Sequence, residues 1–462
     1  MVRAVLFKGS REFVPLYALY ALLFADHGLN TAQISSLLAL WSVTSFLLEV
    51  PSGAWADTVS RRGLLGFSGV LVAAAFTLWT LAPSYLGFAL GFVLWGVSSA
   101  LESGTFEALI YDELAAREQT DAYARLMGYA RAAAEIAVVV AILAAAPLYG
   151  VGGYALVGWV SVAMAGLHTA ICLLLPTAPK AVGDRAEAGA RTHPAGAHPA
   201  GPHAAPVAGP VAADPHAVAV AASTADGSAG RSAVGIDCAG TESRVMRYPA
   251  MLRAGLGETW RVRRVRRGVA LGALLFGITA YDEYFALLAQ SAGVSTTVVP
   301  MLIGITVAGS MAGTLLAGRT SALSARTLAW MVAAGAVLFV GGALIVGAAA
   351  GRPEWVYPLT VAGFVAIGIG YGAVLDAEVV ADARLQDAIE GPARATVTSV
   401  SGLLAEVVAL GVFGVAALAS IRLPMSATLA VLGSAMLVIA ALMPAWLPRR
   451  RADPAVLPDR PG

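Results

Sequence analysis

The chain has 462 residues, 58% of them hydrophobic and only 13% charged, with a formal net charge of +1. Soluble domains carry about 25% charged residues, so this composition excludes an ordinary soluble protein and predicts a polytopic membrane protein. The near-zero net charge carries no information about partners, because the charges are segregated by loop and not spread over a surface, and no nucleic-acid partner is expected. The two cysteines, Cys172 in an apolar segment and Cys238 in a polar one, suggest neither a disulfide framework nor a metal site. Arginine far outnumbers lysine, as coding from a GC-rich genome would produce.

Apolar runs long enough to cross a hydrocarbon layer of roughly 30 Å as helices recur along the chain. The first covers 13–25, starting as early as residue 5, and ends in the turn Asp26-His27-Gly28. It lacks a small-residue cleavage site, so it reads as a span and not as a cleaved signal. Further spans follow at 31–52, 63–81, 85–109, 126–148 and 154–175, with a charged amphipathic connection at 115–125. Residues 1–177 thus form a six-helix half. Residues 178–266 change character, with Ala, Gly, Pro and His repeats, and read as a disordered linker ending in a basic run, Arg247, Arg253, Arg261, Arg263, Arg264, Arg266 and Arg267. Four of the six histidines (His193, His198, His203, His216) lie there, and a flexible tether accounts for them better than a metal-binding tract. The basic run holds its face in the cytoplasm and could also meet anionic lipid headgroups. A second six-helix half, 267–447, has spans near 269–288, 297–316, 327–348, 357–379, 395–418 and 425–446, before a tail at 448–462.

Charge orients the chain. Arg3 and Lys8, Arg61 and Arg62, Arg117 and Arg125, the linker, Arg319 and Arg326, Arg384 and Arg394, and Arg449 to Arg451 fall on one side, while only Arg352 and Arg422 fall on the other. By the positive-inside rule both termini are cytoplasmic, in a multi-pass protein of the plasma (inner) membrane.

Between the second and third spans stands Gly53-Ala-Trp55-Ala-Asp57-Thr-Val-Ser60-Arg61-Arg62, a polar hinge too charged to remain in lipid. It resembles the signature of the major facilitator superfamily, usually Gly-x-Leu-Ala-Asp-x-x-Gly-Arg-Arg/Lys, and it sits where that family has it. Ser60 departs from the usual glycine. A fainter echo after the eighth span, Gly313-Thr-Leu315-Leu-Ala-Gly318-Arg319, puts Ala317 where Asp57 stands. The resemblance implies an all-α fold of twelve transmembrane helices in two pseudo-symmetric halves, with a substrate site near the midplane. It also implies a cytoplasmic gate. Asp57 would face Arg394 and the amino end of the eleventh helix, and Arg61 or Arg62 would reach Asp112. The bland alternative is that these charges only set topology.

Ionisable residues within spans are costly and so are functional candidates. Arg131 and Glu135, spaced i,i+4, either neutralise each other or contact substrate. Glu49 and Glu107, near the inner boundary, suit pairing at the gate. Asp376 and Glu378 either act in transport or simply approach the inner interface. Asp282 and Glu283 lie between Tyr281 and Tyr284. Glu102, Asp282 and Glu406 lie deepest, and each would carry protons, contact substrate, or be buried beside an arginine from elsewhere in the fold.

No Gly-x-x-x-x-Gly-Lys-Ser/Thr loop is present, so ATP is not the expected energy source, and no cofactor is expected. An antiporter motif of the family, Gly-Pro-x-x-Gly-Gly, is poorly matched at Ala146-Pro147-Leu-Tyr-Gly150-Val-Gly152-Gly153. The expectation is a monomeric secondary transporter, proton-coupled and exporting a cationic or amphiphilic small molecule, with metabolite uptake or uniport as the alternative. A membrane-embedded enzyme would need a nucleophile or histidine cluster that the spans lack. A non-transporting sensor would need a folded soluble domain.

Overall fold

Lipid offers the backbone no hydrogen-bond partner, so a spanning chain must satisfy itself as helices. The computed structural model describes residues 1–176, 262–389 and 394–449, which form fourteen α-helices and no strand. Side chains at 50, 53, 54, 57, 58, 394–396 and 399 lie outside that description, as do the linker histidines, Cys238 and the tail from residue 450. By internal packing the chain divides into two units. The first comprises Met1–Tyr17 and the chain from Val43 to residue 176; the second comprises Ala18–Ser42 and the described residues from 262 onward. The boundary therefore differs from a division at residue 177, because residues 18–42 have their partners in the second half of the sequence.

The first unit contains α1 (Val2–Glu12), the later part of α3 (Thr31–Thr58), α4 (Arg61–Leu81), α5 (Tyr85–Glu102), α6 (Thr105–Ala116) and α7 (Tyr123–Cys172). α7 has 50 residues, about 75 Å at 1.5 Å per residue, far more than one crossing needs. It bends at Gly152 and Gly153, the latter at φ +59°, a left-handed value that glycine adopts without a steric cost. It therefore supplies the expected fifth and sixth spans. α1 and α4 pack on α7, and α4 also packs on α5. An aromatic core of Trp79, Phe76, Phe92 and Trp95 joins α4 to α5, with Tyr17 stacked on Trp95 at 5.1 Å. Ser60 and Ser84 start α4 and α5 by accepting from the amides of Gly63 and Gly87 at 3.3 and 3.2 Å. The serine that replaces the usual glycine in the hinge is thus a helix cap.

The second unit contains α2 (Tyr20–Asp26), the beginning of α3, α8 (Arg263–Ile278), α9 (Phe285–Ser291), α10 (Val299–Thr320), α11 (Ala325–Ala349), α12 (Val356–Ala388), α13 (Arg394–Ala419) and α14 (Met425–Trp446). Asn30 and Gln33 exchange side-chain and amide hydrogen bonds at 3.0 and 2.9 Å, a reciprocal cap that opens α3. α12 lies between α10 and α11, and α14 packs on α11. The α10–α12 contact is backbone on backbone: a Cβ on Gly313 or Gly372 would strike the carbonyl of Gly372 or Gly309 respectively.

Ten helices among the described residues are long and apolar enough to cross a membrane. Counting the bent α7 as two passes and the interrupted stretch 2–26 as one brings the passes to twelve. Large apolar side chains such as Leu315, Trp330 and Leu418 are exposed, as a lipid-solvated surface requires.

Several boundaries differ from expectation. The hinge is shorter than the ten-residue motif, because α3 runs through Thr58 and α4 begins at Arg61. The first span is broken: after α1 the chain makes the 3-10 turn Pro15–Ala18 before α2. The seventh is broken alike, by the 3-10 turn Thr279–Tyr284 between α8 and α9. The fourth is interrupted after Glu102 by Ser103 and Gly104 before α6 continues it.

Candidate functional site

Two clusters of polar side chains are buried, one in each unit. In the first, Lys8 and Arg11 stand three residues apart on one face of α1. Glu102 ends α5, where the helix breaks. Arg11 Nε donates to Glu102 Oε2 at 2.6 Å and Lys8 Nζ to Oε1 at 3.2 Å. Lys8 also lies 3.6 Å from Glu107 and 4.8 Å from the Phe106 ring centroid. Arg11 and Glu102 are each 7% exposed. A buried carboxylate held by two cations is a mutually dependent group, since removing any one member leaves an uncompensated charge. Around it, Arg11 donates to the Tyr17 hydroxyl at 3.3 Å, and His168 lies 4.4 Å from the Phe7 ring with its Nδ1 within 3.1 Å of Ser10 Oγ. Of the three readings open for Glu102, the geometry matches burial beside an arginine, with a lysine added.

The same unit holds the ion pair Arg61–Asp112 between α4 and α6. Arg62 turns instead to the end of α7, donating to the carbonyls of Leu173 and Leu175 at 3.4 and 3.2 Å. Gly53 and Asp57 lie in the last turns of α3 and Arg394 opens α13, but their side chains are outside the described residues. Glu49 on α3, and Arg131 and Glu135 on α7, are partly exposed.

In the second unit the 3-10 turn Thr279–Tyr284 sends consecutive polar side chains to three different helices. Asp282 accepts from the Tyr371 hydroxyl of α12 at 2.9 Å. Glu283 accepts from the Tyr20 hydroxyl of α2. Tyr284 shares a hydrogen bond with Ser35 of α3 at 2.7 Å. Tyr281 is buried among Phe285, Phe339 and Tyr371, with ring centroids 4.5 to 5.9 Å away. On α13, Glu406 accepts from Ser42. Asp376 on α12 accepts from Thr320 at 2.6 Å, and both Asp376 and Glu378 are buried. The hydrogen bonds seen here come from hydroxyls. A hydroxyl can donate to a carboxylate and accept from a carboxylic acid, so such a site tolerates both protonation states.

Lys8, Arg11, Tyr20, Tyr371 and His168 were missed by sequence reasoning. Lys8 counted only as a topological charge, although it sits in α1 and reaches into the unit. Tyrosine carries no charge signal, and its partner lies 89 residues away in the case of Tyr371. No cluster of three or more potential metal ligands occurs among the described residues.

The fold is similar to solved transporters. A mutant of the nucleoside transporter NupG superposes with TM-score 0.64 at 10% identity, covering 96% of this chain and 98% of that one. A bacterial homolog of the human lysosomal transporter Spinster, inward-facing and occupied, gives 0.59 at 13%, covering 96% and 93%. A POT family transporter in complex with a thioalcohol-conjugated peptide gives 0.57 at 12%, covering 95% and 92%. No curated protein matches the sequence. At such identities the likeness speaks for the fold alone. The sequence itself matches the profile of the Major Facilitator Superfamily over residues 7–409, and the chain belongs to that family.

Proposed function

We propose that this membrane transporter is a proton-coupled exporter of a small cationic or amphiphilic molecule, with Asp282 and Glu406 as the protonatable groups. The observation that carries the reading is the broken seventh span. Its carboxylates meet hydroxyl groups from α2 and α12, and interrupted spans are where transporters place their substrate and coupling-ion sites. In this reading both termini face the cytoplasm of a bacterial inner membrane. The bonds of residues 20–35 with 283–290, including Asp26 to Gln290 at 2.7 Å, close the outer side and must open in each cycle. Arg61–Asp112 is the described part of the inner latch, and Glu102 serves as its structural support.

Proton movement in proteoliposomes carrying an internal pH dye tests this, with a panel of cationic and neutral compounds. Substrate-dependent proton flux in wild type, abolished in Asp282→Asn or Glu406→Gln, is the expected result. Labelled substrate that equilibrates without proton flux would make the protein a uniporter and overturn the coupling. Flux that dissipates an inward substrate gradient only together with inward protons would make it an uptake system.

A further inference from the structure

Five arginines surround one cavity of about 880 Å³ in the second unit. Arg263, Arg264 and Arg267 come from the first turns of α8, Arg384 from the last turn of α12, and Arg449 from just beyond α14. None of the described lining residues is acidic. Arg263, Arg264, Arg267 and Arg449 make no ion pair among the described residues. The simplest account of so many guanidinium groups is helix capping, and part of the cluster does cap. Arg264 donates to the Arg449 carbonyl at 2.8 Å and Arg267 to that of Ala445 at 3.4 Å, while the buried Arg384 donates to Ser321 and Leu323 at 2.9 and 2.6 Å. Capping, however, uses one nitrogen of each of three arginines and leaves the side chains of Arg263 and Arg449 unexplained. Like charges gathered in one concavity repel unless an anion joins them. Capping also holds the surrounding wall in place, so a ligand need not order it.

We propose that this cavity binds the phosphate group of an anionic phospholipid from the arginine-rich leaflet. Guanidinium groups pair with phosphate oxygens through two parallel N–H donors, a geometry lysine cannot supply. Trp446 lines the same cavity, and an indole at this depth matches the boundary between headgroups and acyl chains. Leu447 and Pro448 beside it give an acyl chain an apolar wall, which a free phosphate ion would not use. Basic pockets between helix ends on this face suit such headgroups. The lipid then bridges α8, α12 and α14. The inference needs only the membrane setting and stands apart from proton coupling.

Native mass spectrometry of the full-length protein, released from mixed phosphatidylglycerol and phosphatidylcholine micelles, reads the preference directly. Wild type should retain phosphatidylglycerol over phosphatidylcholine by about 25-fold, from roughly fivefold for each of two arginines. Arg263→Gln/Arg449→Gln, which spares every capping bond, should lose that preference. The charge-matched Arg117→Gln/Arg125→Gln in the first unit should keep it. Equal retention of both lipids by wild type would mean that the chain's own carboxylates satisfy the arginines, and would overturn the proposal. Equal loss in both variants would reduce it to bulk charge. Displacement of phosphatidylglycerol by an equal concentration of inorganic phosphate would assign the cavity to a soluble anion and overturn the lipid.

Discussion

Glu102 in the first unit and Asp282 in the second are both acids inside apolar helices, and they are held in opposite ways. Glu102 sits between Lys8 and Arg11 with two charge-assisted contacts. Asp282 accepts a hydrogen bond from a tyrosine. The first arrangement is rigid and interdependent, because neither cation can lose its counter-charge without a desolvation penalty. The second can change protonation state and keep a partner. An intramembrane carboxylate therefore marks function only when its partners permit it to change, which is why the proposed coupling rests on the second unit.

The comparison breaks most visibly at Glu102. Glu102→Gln takes the carboxylate from the buried Arg11 and leaves Lys8 only Glu107, and should destabilise the protein by about 3–5 kcal/mol. Loss of monodisperse protein in size-exclusion chromatography and a lowered Tm would show it. Glu102→Leu combined with Arg11→Leu should recover much of that loss, since Lys8 retains Glu107 at 3.6 Å. If the double variant is no better than the single one, the cluster is not a charge-balanced unit.

Gly372→Val tests whether the second unit depends on shape as the first depends on charge. The new side chain strikes the Gly309 carbonyl, and overpacking of this kind costs about 3 kcal/mol. A Tm within a degree of wild type would show that α10 and α12 separate freely.

Asp112→Asn removes the counter-charge of Arg61 and should cost about 2 kcal/mol. If the pair is a latch, this variant also raises the rate of substrate exchange in proteoliposomes. A purely structural pair would lower stability alone.

Tyr371→Phe should have the smallest effect on stability, about 1 kcal/mol. Its effect on transport is the sharper one. The pH profile of substrate-driven flux should move, since Asp282 loses its hydroxyl partner. An unchanged profile would remove Asp282 from the coupling.

Much of this was legible in the linear chain. Lipid demands apolar length, so the spans could be counted from composition. The Gly53 to Arg62 motif pointed to the family that residues 7–409 then matched. Arg61 beside Asp112 was foreseeable only through that resemblance, because 51 residues separate them.

What the chain did not display were the partners of its buried charges. Glu102 and Arg11 lie 91 residues apart, and no local pattern links an acid at the end of one helix to a base at the end of another. The break at 279–284 was equally hidden, since no proline lies within it and the irregular backbone is held by packing of Tyr281 against α11 and α12 and by the bond of Tyr284 to α3. The sequence by itself determined the solvent and the helices, because these follow from the apolar content of short segments. Only the tertiary structure decided which acid is held by cations and which by a hydroxyl, because that depends on side chains brought together from distant helices.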